Sequence, residues 1–123
     1  MRIYSSYNAA PPYITKDGSI VRELMHPAVH GNRALSLAEA IVPPGGETLL
    51  HQHLKAEELY HFTAGVGMMQ LGDERFRVKA GDTVCIPPGT LHAISNTGAD
   101  DIRILCVCCP AYSHEDTEPV VTV

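Results

Sequence analysis

The chain is predicted to be all-β, a sandwich or barrel, on three observations. Glycine and proline interrupt it at short intervals: Pro11-Pro12, Asp17-Gly18, Pro43-Pro44-Gly45-Gly46, Gly65, Gly72-Asp73, Gly81-Asp82, Pro87-Pro88-Gly89 and Gly98. No long helix fits between them. The pieces in between are short and rich in Ile, Val, Leu, Tyr and Phe, and turn signals recur at the roughly 8–12-residue spacing of sandwiches and barrels.

Taken in order, the first 20 residues read as an N-terminal arm, 21–109 as the barrel and 110–123 as a C-terminal tail, all one domain. Strand-like pieces follow one another: SIVRELM, ALSLAEAIV, ETLLHQH, LYHFTA, VGMMQL, RFRVKA, TVCIP, LHAISN and DIRILCVCC. In VGMMQL-GD-ERFRV, Gly72 and Asp73 suit a tight turn between two alternating runs, which predicts a hairpin. The acidic tail AYSHEDTEPVVTV is expected to run over the barrel surface or onto a partner subunit.

Composition narrows the partners. Nine Lys plus Arg against fourteen Asp plus Glu leave a net charge of -5, with no basic run. Nucleic acid and anionic membrane surfaces are therefore not expected partners. No window approaches the roughly 18 apolar residues of a membrane span, and the N-terminus lacks a signal-peptide core. Cys106, Cys108 and Cys109 crowd one apolar run and Cys85 stands apart, a poor disulfide framework that fits a reducing, cytoplasmic setting. On a strand, Cys106 and Cys109 face opposite ways and cannot share a metal, whereas Cys106 and Cys108 share a face with Ile104 that can line a cavity.

The chemistry concentrates in HQHLKAEELYH, residues 51–61. Side chains two apart on a strand point the same way, so His51 and His53 converge. Glu58 enters the next strand after the connection LKAE, and His92 follows a strand and a tight Pro-Pro-Gly turn. Three neutral imidazoles and a carboxylate suit one divalent first-row metal, with positions left for water or substrate.

These residues carry a resemblance to the cupins. The first cupin motif matches at Gly45, His51, His53, Glu58 and Gly65, and the second at Gly81, Pro87, Gly89, His92 and Asn96. The resemblance implies a double-stranded β-helix, the cupin or jelly-roll barrel, holding a metal through His51, His53, Glu58 and His92. Glu57 is the competing carboxylate; Glu58 is preferred because it alone leaves six residues before Gly65.

Tyr60 shares strand parity with Glu58 and is the candidate proton donor or base, a place where some small lyases of the family carry a tyrosine. Its alternative is a core tyrosine bonded to a backbone group. His61 has the opposite parity and should face away. Asn96 is expected to tie a loop through its amide, and Met25, Met68 and Met69 to fill the core. Glu39 shares parity with Leu35, Leu37 and Ile41; paired with Arg22 or Arg33 at the cavity wall, it could orient a carboxylate substrate, and a solvent-facing glutamate on an edge strand is an equal alternative.

An open divalent metal can polarise a carbonyl, generate hydroxide or carry dioxygen. The ligand set admits Mn, Fe, Ni, Zn or Cu. The expectation is a metalloenzyme acting on a small oxygen-bearing substrate, with dioxygenase-type cleavage ranked ahead of decarboxylase, isomerase or lyase chemistry. The rival is a non-catalytic small-molecule binding or sensor protein. A homodimer is expected, since sheet edges and outward apolar residues need cover.

Overall fold

Period-two alternation builds the strands. In β3 (Ser36–Val42) the residues Ser36, Ala38, Ala40 and Val42 are buried, and Leu37, Glu39 and Ile41 lie on the outer face. The same alternation in β5 (Glu57–Ala64) buries Glu58, Tyr60 and Phe62 and exposes Glu57, Leu59 and His61. Two residues per repeat is the period of a strand with one face on a core.

The computed structural model describes residues 2–120. The remaining strands are β1 (Tyr13–Ile14), β2 (Ile20–Met25), β4 (His51–His53), β6 (Val66–Leu71), β7 (Glu74–Lys79), β8 (Thr83–Ile86), β9 (His92–Asn96), β10 (Ile102–Cys109) and β11 (Thr117–Pro119). They form two antiparallel sheets, ordered β1-β2-β3-β10-β5-β8 and β11-β4-β9-β6-β7. This is the all-β double-stranded β-helix expected of the chain. The one α-helix among the described residues is a single turn, Pro27–His30, capped by the His26 side chain and ended by Gly31.

The inner faces meet in a core where Phe62, Met69, Ile86, Ile94, Ile102 and Ile104 are almost wholly buried. Burying each such side chain contributes about 1.5–3 kcal/mol. Ile94 and Ile104 also border a cavity between the sheets, so the core serves as its floor.

The hairpin at Gly72 is as expected, with Leu71 opposite Glu74. Gly65, between β5 and β6, has φ of 88°, and a Cβ there would stand 2.7 Å from the Asp101 carbonyl oxygen. Only glycine tolerates both demands. Asn96 ties its loop as expected: its amide donates to the carbonyls of Val42 and Asp100 and accepts from the Gly98 amide.

Three differences from the sequence reading matter. ETLLHQH is regular strand only at His51–His53; upstream, the Thr48 amide donates to the Ile94 carbonyl and the Leu49 amide to the Asp17 carbonyl. Within the N-terminal 20 residues, β1 pairs with β2 and the turn at Asp17 reaches the cavity. In the tail, β11 pairs with β4, placing Thr117 opposite His53, while residues 121–123 lie outside the described part. Pro119 sits on β11 at the sheet edge, the position where a strand tolerates proline.

Candidate metal centre

Strand register gathers the site. His51 and His53 are two apart on β4, and His92 opens β9 directly opposite His51. The rings of His51 and His92 are 4.1 Å apart, and His53 lies 5.3 Å from each. One candidate ligand nitrogen from each ring falls within 4.8 Å of the others. Glu58 faces them from the other sheet, its Oε1 2.9 Å from His53 Nε2 and 3.5 Å from His92 Nε2. All four side chains are buried, His92 completely.

The outward nitrogen of each imidazole is committed. His51 Nδ1 donates to the Leu49 carbonyl at 2.7 Å and His92 Nδ1 to the Thr90 carbonyl at 2.9 Å. A carbonyl only accepts, so both rings carry their proton on Nδ1. His53 Nδ1 lies 3.0 Å from Thr117 Oγ1, whose hydroxyl is already donated to the Ser113 carbonyl. Thr117 must therefore accept, and His53 is Nδ1-protonated as well. Every Nε2 lone pair is left facing inward, and such outer hydrogen bonds fix the tautomer and ring orientation of metal-binding histidines.

That arrangement fits a divalent cation. The Nε2 of His92 is shut off from solvent and has no hydrogen-bond partner among the described residues. In its neutral form His53 Nε2 is an acceptor facing an acceptor, the Glu58 oxygen. A cation between such groups removes the conflict, and unpartnered buried polar atoms need a cause of this kind. Three histidines that could hold a metal ion are thus present; their donor set leaves the identity of the metal open.

Electrostatics agree. Burial alone would raise the Glu58 carboxyl, but the close approach of His53 and His92, whose rings can take up a proton facing it, outweighs burial and lowers the group to about 2. Burial, then neighbouring His92, lowers the His51 pKa and favours its neutral, ligating form. The Cys108 thiol, directly across β10 from Glu58, donates to Glu58 Oε2 at 3.2 Å. Burial and then Glu58 push that thiol up, so it stays a donor.

A cavity open to solvent lies beside these residues, its empty space about 600 Å³ with the open solvent at its mouth included. Tyr60 lines it, with its ring 5.8 Å from His92 and its hydroxyl making no hydrogen bond among the described residues. Burial, then Glu58, raises its pKa well above the ordinary phenol value, so the hydroxyl stays protonated. Cys106 and Cys108 also line the cavity.

Residues set aside in the sequence reading lie outside it. Glu57 and His61 are exposed, and His61 bonds Thr83. The expectation for Glu39 needs correction: on the outer face of β3 it pairs with Arg103 at 3.2 Å and accepts from the Tyr7 hydroxyl. Arg22 instead donates to the Ala10 carbonyl and packs over the Tyr7 ring. Leu37, Glu39 and Ile41 share a face, but it is the one turned away from the cavity.

Two cavity residues were missed. Asp17 comes from the turn before β2; its Oδ1 accepts from Thr15 and from the amide and hydroxyl of Ser19, and its Oδ2 stands 3.5 Å from His51 Nε2. Its Asp-Gly sequence reads as turn chemistry alone. Glu23, on the buried side of β2 with Val21, could have been flagged only by parity, and both faces of SIVRELM mix apolar and charged residues.

Fold and site together define a double-stranded β-helix protein with a candidate metal centre between its sheets. The chain belongs to the cupin family: the cupin domain model matches residues 38–108. It is 54% identical over 116 residues to the uncharacterized protein MJ1618 of Methanocaldococcus jannaschii, covering 94% of this chain and 93% of that one. The oxalate decarboxylase of Lactobacillus farciminis, solved as a formate complex, superposes with a TM-score of 0.80 at 27% identity. That match covers 92% of this chain but 34% of the decarboxylase chain. The polyketide cyclase RemF of Streptomyces resistomycificus has a TM-score of 0.82 at 22% identity over 100% of this chain and 88% of its own, a likeness of fold.

Proposed function

We propose that the protein is a mononuclear metalloenzyme in which His51, His53, Glu58 and His92 hold one divalent transition metal beside a cavity for a small oxygen-bearing substrate. The observation that carries this is the shared orientation of the three imidazoles, each with Nδ1–H donated outward and Nε2 turned toward Glu58 or the cavity. A divalent ion held there supplies Lewis acidity toward a substrate oxygen. The chain's own residues do the rest. Ala38, Ala40, Val42, Ile94 and Ile104 line the cavity with aliphatic surface that excludes water, and Tyr60 offers a proton from the same lining.

The sequence ranks oxygen-dependent cleavage first; the cavity wall moves proton-transfer chemistry ahead of it. A phenol without an internal acceptor is a group that decarboxylation, isomerisation or elimination uses and that a dioxygen platform does not require. Oxygen-dependent cleavage is the second reading, supported by the largely aliphatic wall. Turnover of a panel of phenols, hydroxy acids and keto acids, followed with and without oxygen, separates the two. Tyr60→Phe is expected to lower kcat by about 10²–10⁴-fold with metal content unchanged. Tight binding of panel members with no turnover would instead favour a sensor role.

The reading extends to a cytoplasmic homodimer. No helix among the described residues is long and apolar enough to cross a membrane, and all four cysteines are free. Leu59 and Val66 leave 40% and 47% of their surface uncovered, and burying such side chains on a second copy would favour association. Sedimentation at micromolar concentration should give twice the chain mass; a monomer would remove the dimer.

A further inference from the structure

The cavity's polar wall is acidic, and that bears on which ligands it admits. Asp17 and Glu23 line it together with Glu58, and no Lys or Arg does among the described residues. Asp17 and Glu58 already balance the charge of a bound divalent cation, and Glu23, whose pKa burial raises, adds no positive charge for an anion to meet. Three of the nine cations are engaged elsewhere: Arg103 with Glu39, Arg22 with the Ala10 carbonyl, and Lys16 with the Thr117 carbonyl.

Independent of the count of charges, one enclosed acceptor atom lacks a donor and a second faces the cavity. Glu23 Oε2 accepts weakly from the Tyr13 hydroxyl at 3.2 Å, but its Oε1 is enclosed and has no hydrogen-bond partner among the described residues. Asp17 is held rigidly through Oδ1 by three donors, leaving Oδ2 directed at the Nε2 lone-pair side of His51. A buried acceptor without a donor is costly, and it is satisfied by a group that brings hydrogens.

Resting on the metalloenzyme reading above, we propose that the substrate carries no net negative charge and presents hydroxyl or amino hydrogens to Glu23 and Asp17, and that carboxylate anions are excluded. Oxalate, the substrate named for the structural relative from Lactobacillus farciminis, then falls outside the class this chain accepts. Specificity of this kind comes from repulsion of the wrong ligand as much as attraction of the right one.

The test compares catechol with salicylate, two aromatic chelators of similar size that differ in charge near neutral pH. Their dissociation constants are measured by calorimetry on the protein as purified, with metal content determined on the same samples. Catechol is expected to bind at least tenfold more tightly. Glu23→Gln or Asp17→Asn should each narrow that preference at least threefold. Salicylate binding as tightly as catechol, binding of neither probe, or a preference unmoved in both variants would overturn the proposal. If the variants fail to fold, the wild-type comparison decides alone. Absence of metal from the samples would sink the metalloenzyme reading and leave the selection readable, because the acidic wall persists without the ion.

Discussion

Cys108 is the residue whose role is least expected of its type. Its thiol holds Glu58 Oε2 while His53 and His92 approach Oε1, so the carboxylate is fixed from both ends. Cys108→Ala is expected to weaken metal binding roughly 10-fold or more, within the about 10–100-fold range of lost outer hydrogen bonds; competition against a chromophoric chelator measures it. Cys106→Ala, which leaves Glu58 untouched, serves as the control. His51 sets a pH dependence at the same scale. Its folded-state pKa is lowered, so in acid the unfolded chain takes up the proton first. Stability of the metal-free protein should be full above about pH 6.5 and fall as pH drops through that value. Denaturant midpoints that rise between pH 7 and 5 would contradict the sign. These residues also show how legible the site was. That His51, His53, Glu58 and His92 come together was readable because strand parity and motif spacing are properties of the chain. The contact from Cys108 to Glu58 was not, because it depends on the register between β5 and β10.

At the scale of elements, β11 and Gly65 carry the testable claims. Thr117 on β11 accepts from His53 Nδ1, so a segment of the tail orients a site residue. Thr117→Val keeps the β-branched shape and removes the acceptor, leaving a buried N–H unpaired. About 1–3 kcal/mol of stability should be lost, together with part of the metal affinity; thermal melting and metal titration read the two. At Gly65, alanine would meet both a φ of 88° and backbone atoms of Asp101 and Ile102 under 3 Å away. Gly65→Ala is expected to destabilise by about 2–4 kcal/mol, enough to lower Tm by several degrees. The short strands between turn signals were legible because β-rich pieces and Gly/Pro punctuation are local. β11 was not, because its sequence is polar and proline-bearing and its pairing with β4 is decided by what lies beside it. The face of Glu39 was left open for a related reason: alternation shows that two faces exist, and only the packed sheet shows which is inner.

For the molecule as a whole, the fold brings His51, His53 and His92 from one sheet and Glu58 from the other onto one buried point and leaves polar groups there that the protein alone does not satisfy. Any ligand that binds the native state alone stabilises it in proportion to its affinity, about 2.7 kcal/mol at a hundredfold excess over Kd. Removing metal with a chelator should therefore lower Tm, and re-addition of one equivalent should restore it. The central claim is tested most directly by elemental analysis of protein purified without added metal, alongside His51→Ala, Glu58→Ala and, as a control on the outer face, His61→Ala. The account predicts about one equivalent of a transition metal per chain in wild type and His61→Ala, largely lost in the other two. Equal metal content in all four proteins, or none in the wild type, would contradict it.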